Sequence, residues 1–299
     1  MSERQTVEFS AADGVTLRGW LFTPESRGVP RPAITMSHGF AAVKEHGLEP
    51  FARSFADAGF VVLVHDHRGF GVSEGQPRHD IDPWVQVDDW RSAISYLERL
   101  PEVDSSRIGI WGSSYSGGHA LVIGATDRRI KCVVSQVPTI SGYEQGRRRI
   151  SPDAQAGFES LLLQDLRAQH RGERPRMQCV VSSDPEQLAA YRAADSIEFY
   201  TQPSAAHVWQ NSVTLRSTFM ARMYEPGHWV ARISPTPLLM VVAKSDGLTL
   251  TDLELQAYEN ALHPKKLEII PGGHFDAYGK AFPRASSAAL QWFLEHLGS

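Results

Sequence analysis

Residues 107–120 read RIGIWGSSYSGGHA, and the fold turns on how this stretch divides. Its first half, residues 107–112, is a short apolar run of the kind that forms a strand buried on both faces. From residue 116 onward, SGGHALVIGA continues as a helix. Between the two halves stand Ser113, Ser114 and Ser116, three serines in four positions. The stretch nearly matches G-x-S-x-G, in which a strand turns sharply into a helix and exposes a serine hydroxyl at the carboxyl edge of a sheet. So sharp a turn needs small residues two places before and two places after the serine. Ser113 would put Trp111 and Tyr115 there, and Ser116 lies a turn too deep in the helix. Ser114 has Gly112 before it and Ser116 after it, which makes Ser114 the candidate nucleophile. The competing reading is that small residues merely pack a tight turn or cap its helix.

Working outward, short apolar runs recur at 33–39 (AITMSHG), 60–67 (FVVLVHDH), 130–137 (IKCVVSQV), 237–246 (PLLMVVAKSD) and 266–273 (KLEIIPGG). Helical patterns separate most of them: residues 48–59, with Gly59 as a C-terminal stop, 83–100 before Pro101, 251–262 and 285–297. The opening runs 6–10 and 15–24 flank AADG, where Asp13-Gly14 supplies hairpin turn chemistry. Alternating strands and helices predict a doubly wound α/β sheet with right-handed crossovers. Residues 140–232 break the rhythm, polar and aromatic with no convincing core strand. A structureless loop of that length would be exceptional, so the expectation is an inserted, mainly helical cap (140–232) on a core formed by 1–139 and 233–299.

Composition narrows the function classes. The chain of 299 residues carries a net charge of −4, which argues against a nucleic-acid binder with a basic face. No apolar run reaches membrane-spanning length, and the first residues lack the apolar centre of a signal peptide. Two cysteines, Cys132 and Cys179, do not make a disulfide framework. A reducing, cytoplasmic setting is expected, and a homodimer is left open.

A serine hydroxyl needs a base to take its proton and a carboxylate to orient that base. His274, in LEIIPGGHFDAYG, follows the last expected strand on a glycine-rich loop. Asp246 stands just past the apolar run of the strand before it. The order Ser114, Asp246, His274 is that of G-x-S-x-G hydrolases. Taken singly, Asp246 could cap the helix that starts near Thr249, His274 could be an ordinary loop histidine, and Asp276 is a competing carboxylate. Stabilising an oxyanion would fall to the backbone amides of Tyr115, after the nucleophile, and Phe40, on the loop after the third strand. His38 in the same loop reads as a structural hydrogen-bonding residue.

HGF at 38–40, DHRGFGVSEG at 66–75, GSSYSGG at 112–118, KSDGLT around Asp246 and PGGHFDAYG around His274 together resemble the α/β-hydrolase superfamily over nearly the whole chain. The Ser-Tyr pair followed by Ser116-Gly117 is similar to the branch holding Xaa-Pro dipeptidyl peptidases and cocaine esterase, whose elbow reads G-x-S-Y-x-G. The compact chain looks closer still to dipeptidyl-peptidase-like hydrolases and polyketide transferases. The resemblance implies an eight-stranded, mostly parallel sheet with strand two antiparallel, an acyl-serine intermediate and no cofactor. It does not fix the substrate. Peptidase relatives have added domains and an amine-recognition site that this sequence does not display.

Other signals were weighed against blander readings. His65 and His67 in HDHRG share a strand face, but two nitrogens without further ligands make a poor metal site, so no metal is expected. Arg147–Arg149 could meet an anionic substrate, although such runs more often form a solvated helix face. Trp209, Trp229 and Phe275 are candidate substrate contacts, with Phe219 and Tyr224 also in or near the cap. The expected activity is serine hydrolysis of a small carboxylic ester, lactone or thioester. The alternatives are acyl transfer to an alcohol or amine, C–C bond hydrolysis, and a non-catalytic ligand receptor.

Overall fold

A computed structural model describes residues 2–25 and 29–298. The strands β1 (Glu3–Ser10), β2 (Thr16–Thr23), β3 (Arg31–Ser37), β4 (Val61–His65), β5 (Val103–Ser113), β6 (Ile130–Gln136), β7 (Leu238–Ala243) and β8 (Lys265–Ile270) form one sheet. Their spatial order is β1-β2-β4-β3-β5-β6-β7-β8. β2 runs antiparallel to both neighbours, and the other pairings are parallel. This is the layout that the hydrolase resemblance implies. The central runs are apolar because both faces are covered: every residue of β4 and β7 is buried.

The helices that cover the sheet are α1 (Glu49–Asp57), α2 (Pro83–Glu98), α3 (Tyr115–Thr126), α8 (Thr251–Asn260) and α9 (Phe282–Leu297). α1 and α9 build one core layer, with Phe51, Phe55, Trp292 and Phe293 packed on Ile34, Val62, Trp111 and Val134. α2, α3 and α8 build the other, around Trp90, Ile94, Leu121 and Leu253. Local chemistry sets the ends. Asp82 caps α2 by accepting from the Trp84 amide at 3.1 Å, with Pro83 at the first helical position. The hairpin before β2 turns through Gly14 at φ 88°.

Between β6 and β7 the chain forms α4 (Gly142–Arg149), α5 (Pro152–His170), α6 (Ala194–Tyr200) and α7 (Leu215–Arg222). It also forms a small sheet from Ala189–Tyr191, Met177–Val181 and Val213–Thr214, in that order. These strands depart from the mainly helical expectation. They are two to five residues long, too short for a sequence period to register. No described helix is long and apolar enough to cross a membrane.

Candidate active site

β5 ends at Ser113 and α3 begins at Tyr115, so Ser114 sits alone at the turn, with φ 61° and ψ −121°. Few non-glycine residues occupy positive φ, and the surroundings hold this one there. The Ser114 amide donates to Gln136 at 2.9 Å, while its carbonyl accepts from Thr139 at 2.9 Å and Gly118 at 3.2 Å. A Cβ at position 112 would lie 2.0 Å from the Ser116 carbonyl oxygen, so only glycine fits two places before the serine. The three hydroxyls then take different paths. Ser113 Oγ accepts from the Tyr278 hydroxyl at 2.6 Å and from Gln136 Nε2 at 3.1 Å. Ser116 donates to the His38 carbonyl and lies 3.1 Å from His67 Nε2. Both are fully buried. Ser114 Oγ alone reaches a ring that could activate it, 2.9 Å from His274 Nε2.

Beyond β8, Gly272 at φ 87° turns the chain so that His274 comes back over the sheet edge. His274 Nδ1 lies 2.7 Å from Asp246 Oδ2. Asp246 also accepts from the amides of Leu248 at 2.7 Å and Thr249 at 2.8 Å, so its loop-capping and ring-orienting readings hold together. Burial pushes the Asp246 carboxyl up, but attraction to His274 and the hydrogen bonds it accepts outweigh that and bring it to about 2. An ionised carboxylate only accepts, which puts the ring proton on Nδ1 and leaves the Nε2 lone pair facing Ser114. The rival Asp276 accepts from the Gly273 amide at 2.8 Å and braces the loop instead.

Two neighbours complete the surroundings of Asp246, Thr249 at the end of the KSDGLT stretch and Glu254, to which the sequence alone assigns no part in the site. The Thr249 hydroxyl donates to Asp246 Oδ2 at 2.8 Å, lies 3.1 Å from His274 Nδ1 and sits 3.0 Å from Glu254 Oε1. Glu254 is fully buried, and burial, with the nearby Asp246 charge adding, pushes its carboxyl well up. A buried Glu at the fourth position of α8 looks like any helix-face acid until the fold sets it behind Asp246.

The loop after β3 passes tightly over Ser114. A Cβ on Gly39 would lie 3.1 Å from the Ser114 Cβ. Phe40 and Tyr115 both border the cavity that Ser114 opens into. This loop is held from both sides. Beneath it, His38 Nδ1 donates to the Gly39 carbonyl at 3.0 Å and its Nε2 accepts from the His67 amide at 3.1 Å, the structural role expected of it. Lys44 Nζ reaches Asp66 at 2.7 Å within the same layer. Above it, the Tyr200 hydroxyl donates to the Phe40 carbonyl at 2.6 Å, and Trp209 Nε1 donates to the Ala41 carbonyl at 2.8 Å. His65 and His67 are buried beside Trp90 and His119 as packing residues, and of the two rings only His67 Nε2 finds a hydrogen-bond partner among the described residues, Ser116 Oγ at 3.1 Å.

The cavity at Ser114 holds about 560 Å³. Its wall continues through Thr139 and Gln145 to Phe158 on α5, Tyr191, and Thr218 and Arg222 on α7. Two of the expected substrate contacts lie elsewhere. Trp209 is spent on the loop behind Phe40, and Trp229 packs edge-on against Trp84 with Arg232 over its ring. Phe275 stacks on Phe199, with ring centroids 4.5 Å apart, and borders a separate small recess that also touches Ser114. Apolar aromatics in an unaligned stretch give no clue to the face they present.

The model of the X-Pro dipeptidyl-peptidase (S15) family matches residues 13–276. The chain belongs to this family. A thiohydrolase from Eupenicillium brefeldianum is 33% identical over 287 residues, 94% of this chain and 90% of the relative. The quorum-quenching protein AidA of Acinetobacter baumannii is 33% identical over 93% of this chain and 90% of its own length. Among solved structures, the alpha/beta hydrolase GrgF from Penicillium sp. sh18 superposes with a TM-score of 0.85 at 28% identity, covering 99% of this chain and all of that one. DcsB in complex with its substrate analogue gives the same TM-score, with 29% identity over 98% of this chain and 100% of that one. The family member described here therefore has the α/β-hydrolase fold.

Proposed function

We propose that the protein is a serine hydrolase that cleaves a carboxylic ester, lactone or thioester through an acyl-serine. The observation that carries this is the hydrogen-bonded chain Ser114 Oγ, His274 Nε2, His274 Nδ1, Asp246 Oδ2, with links of 2.9 and 2.7 Å. In this reading Ser114 attacks the carbonyl carbon while Nε2 takes its proton. Asp246 keeps the ring in the required tautomer and stabilises the imidazolium. The amides of Phe40 and Tyr115 receive the developing oxyanion, a contribution of about 3–4 kcal/mol per donor in comparable sites. His274 passes its proton to the leaving oxygen or sulfur and then activates the water that releases the acid. Residues 140–232 act as a cap that supplies most of the cavity wall. A relative called a thiohydrolase supports including thioesters in the substrate range.

Acyl transfer through the same intermediate is the second reading, supported by a relative called a polyketide transferase, from Penicillium sp., 31% identical over 91% of this chain. Ser114→Ala, assayed on p-nitrophenyl and thiophenyl esters of short acids, is expected to lose at least about a thousandfold in kcat/KM. Undiminished turnover would reject the serine. Quenched product analysis with and without an added alcohol or amine separates the two outcomes. Free acid released at the full acylation rate favours hydrolysis.

A further inference from the structure

The cavity beside Ser114 is charged on one side only. Its ionisable lining side chains, apart from tyrosine, are Arg149, Arg192 and Arg222, and no Asp or Glu contributes to the described wall. The arginine run at 147–149 divides here. Arg147 pairs with Glu144 at 2.9 Å and Arg148 with Asp252 at 2.7 Å. Arg149 borders the cavity instead, donating to the Leu248 carbonyl at 2.9 Å with its guanidinium 5.0 Å from the Tyr191 ring. Arg192 is held by the carbonyls of Asp184 at 2.6 Å and Gln187 at 2.5 Å. These partners are neutral carbonyls, and neither guanidinium meets a carboxylate among the described residues.

Arg222 is the most telling of the three. Its side chain is only 13% exposed, and among the described residues its sole carboxylate contact is Glu159 at 3.7 Å, on a side chain 60% exposed. One face lies against the Phe158 ring at 5.6 Å. Its Nη1 is buried and has no hydrogen-bond partner among the described residues. A buried guanidinium nitrogen without an acceptor costs more than most native sites tolerate, unless a ligand supplies that acceptor. Arginine is also the side chain best shaped to grip a carboxylate or phosphate with two parallel donors.

We infer that the substrate carries, besides the carbonyl that Ser114 attacks, a second group that is anionic, a carboxylate or phosphate, and that Arg222 anchors it inside the cavity. The inference rests on the acyl-serine reading above and narrows its substrate class. The anion could sit on the acyl chain or on the leaving group. Matched pairs distinguish these sources: p-nitrophenyl hexanoate against mono-p-nitrophenyl adipate for the acyl side, and phenyl acetate against 4-acetoxybenzoate for the leaving side.

In one of the two pairs the anionic member is expected to show at least about a tenfold higher kcat/KM at low salt, mostly through KM. In Arg222→Gln that ratio should fall about tenfold or more, and Arg222→Lys should restore part of it. Added salt should reduce the wild-type preference without affecting the neutral ester, a readout that survives if the variants misfold. Equal rates within both pairs, or an anion preference that Arg222→Gln leaves intact, overturn the inference. Labelling of Ser114 by a fluorophosphonate separates the two levels. Labelling without anion preference removes this inference alone, while absence of labelling removes the acyl-serine reading beneath it.

Discussion

At Ser114 the backbone conformation matters as much as the hydroxyl. Positive φ throws Oγ out of the turn, and Gly112 leaves room for the carbonyl of Ser116 on the other side. The glycine usual two places after a serine at such a turn is absent, and Ser116 shows why that is tolerated. Its side chain does not crowd the turn but bonds inward to the His38 carbonyl, tying the elbow to the neighbouring loop. Glu254 shows the opposite case, a residue whose effect comes from burial alone. A carboxyl whose affinity for protons is raised by folding stabilises the fold below its unfolded value near 4.5 and loses that contribution as pH rises. Glu254→Gln should therefore gain stability relative to the wild type as pH rises above about 5, by up to about 1.4 kcal/mol per pH unit. Melting temperatures of both proteins across that range test this, and parallel curves would contradict it. The amide can still bond Thr249, so the turnover proposed for p-nitrophenyl esters should be the same in the variant and the wild type.

Among the elements, α6 and the chain just after it matter because they grip the loop that carries Phe40. Tyr200 and Trp209 end on consecutive carbonyls of that loop, and the His46 ring in the loop returns a bond to the Tyr200 carbonyl at 3.1 Å. Tyr200→Phe keeps the ring but leaves the Phe40 carbonyl without this donor. The expected cost is about 1–3 kcal/mol of stability, a few degrees in melting temperature for a chain of this size. Because the amide of Phe40 shares the loop, kcat should fall while KM changes little. A variant with wild-type kcat would show that the loop keeps its geometry without the bond. The large elements were legible because burial imposes periodicity: α1, α2 and the parallel strands lie where their patterns place them. The three short strands between β6 and β7 were not. Their pairing is decided by partners 10 to 37 residues away, as Cys179 with Ala189 and Met177 with Thr214 illustrate.

Over the whole molecule, the core is unusually rich in neutral histidine. Burial, the largest cause in each case, lowers His46 to about 4, His65 to about 3 and His119 to about 3, and also lowers His38 and His67. Unfolding would release each to its ordinary value near 6.5. The stability these rings contribute is therefore complete above pH 6.5 and is lost as pH falls through 6.5 towards 3, at up to about 1.4 kcal/mol per pH unit for each. Melting temperature should drop steeply between pH 6.5 and 5. A flat profile there would mean that the rings are hydrated or charged in the folded protein.

By itself the sequence determined the α/β alternation, the strand that ends in the serine cluster, and the chain order of Ser114, Asp246 and His274. Each of these depends on short-range rules, burial period and turn sterics, that neighbouring residues express directly. The tertiary structure alone decided which arginine of 147–149 faces inward, that Glu254 backs Asp246, and that Trp209 holds a loop while Trp229 packs on Trp84. Those outcomes depend on which faces meet across dozens of residues, and no local pattern encodes a meeting at that distance.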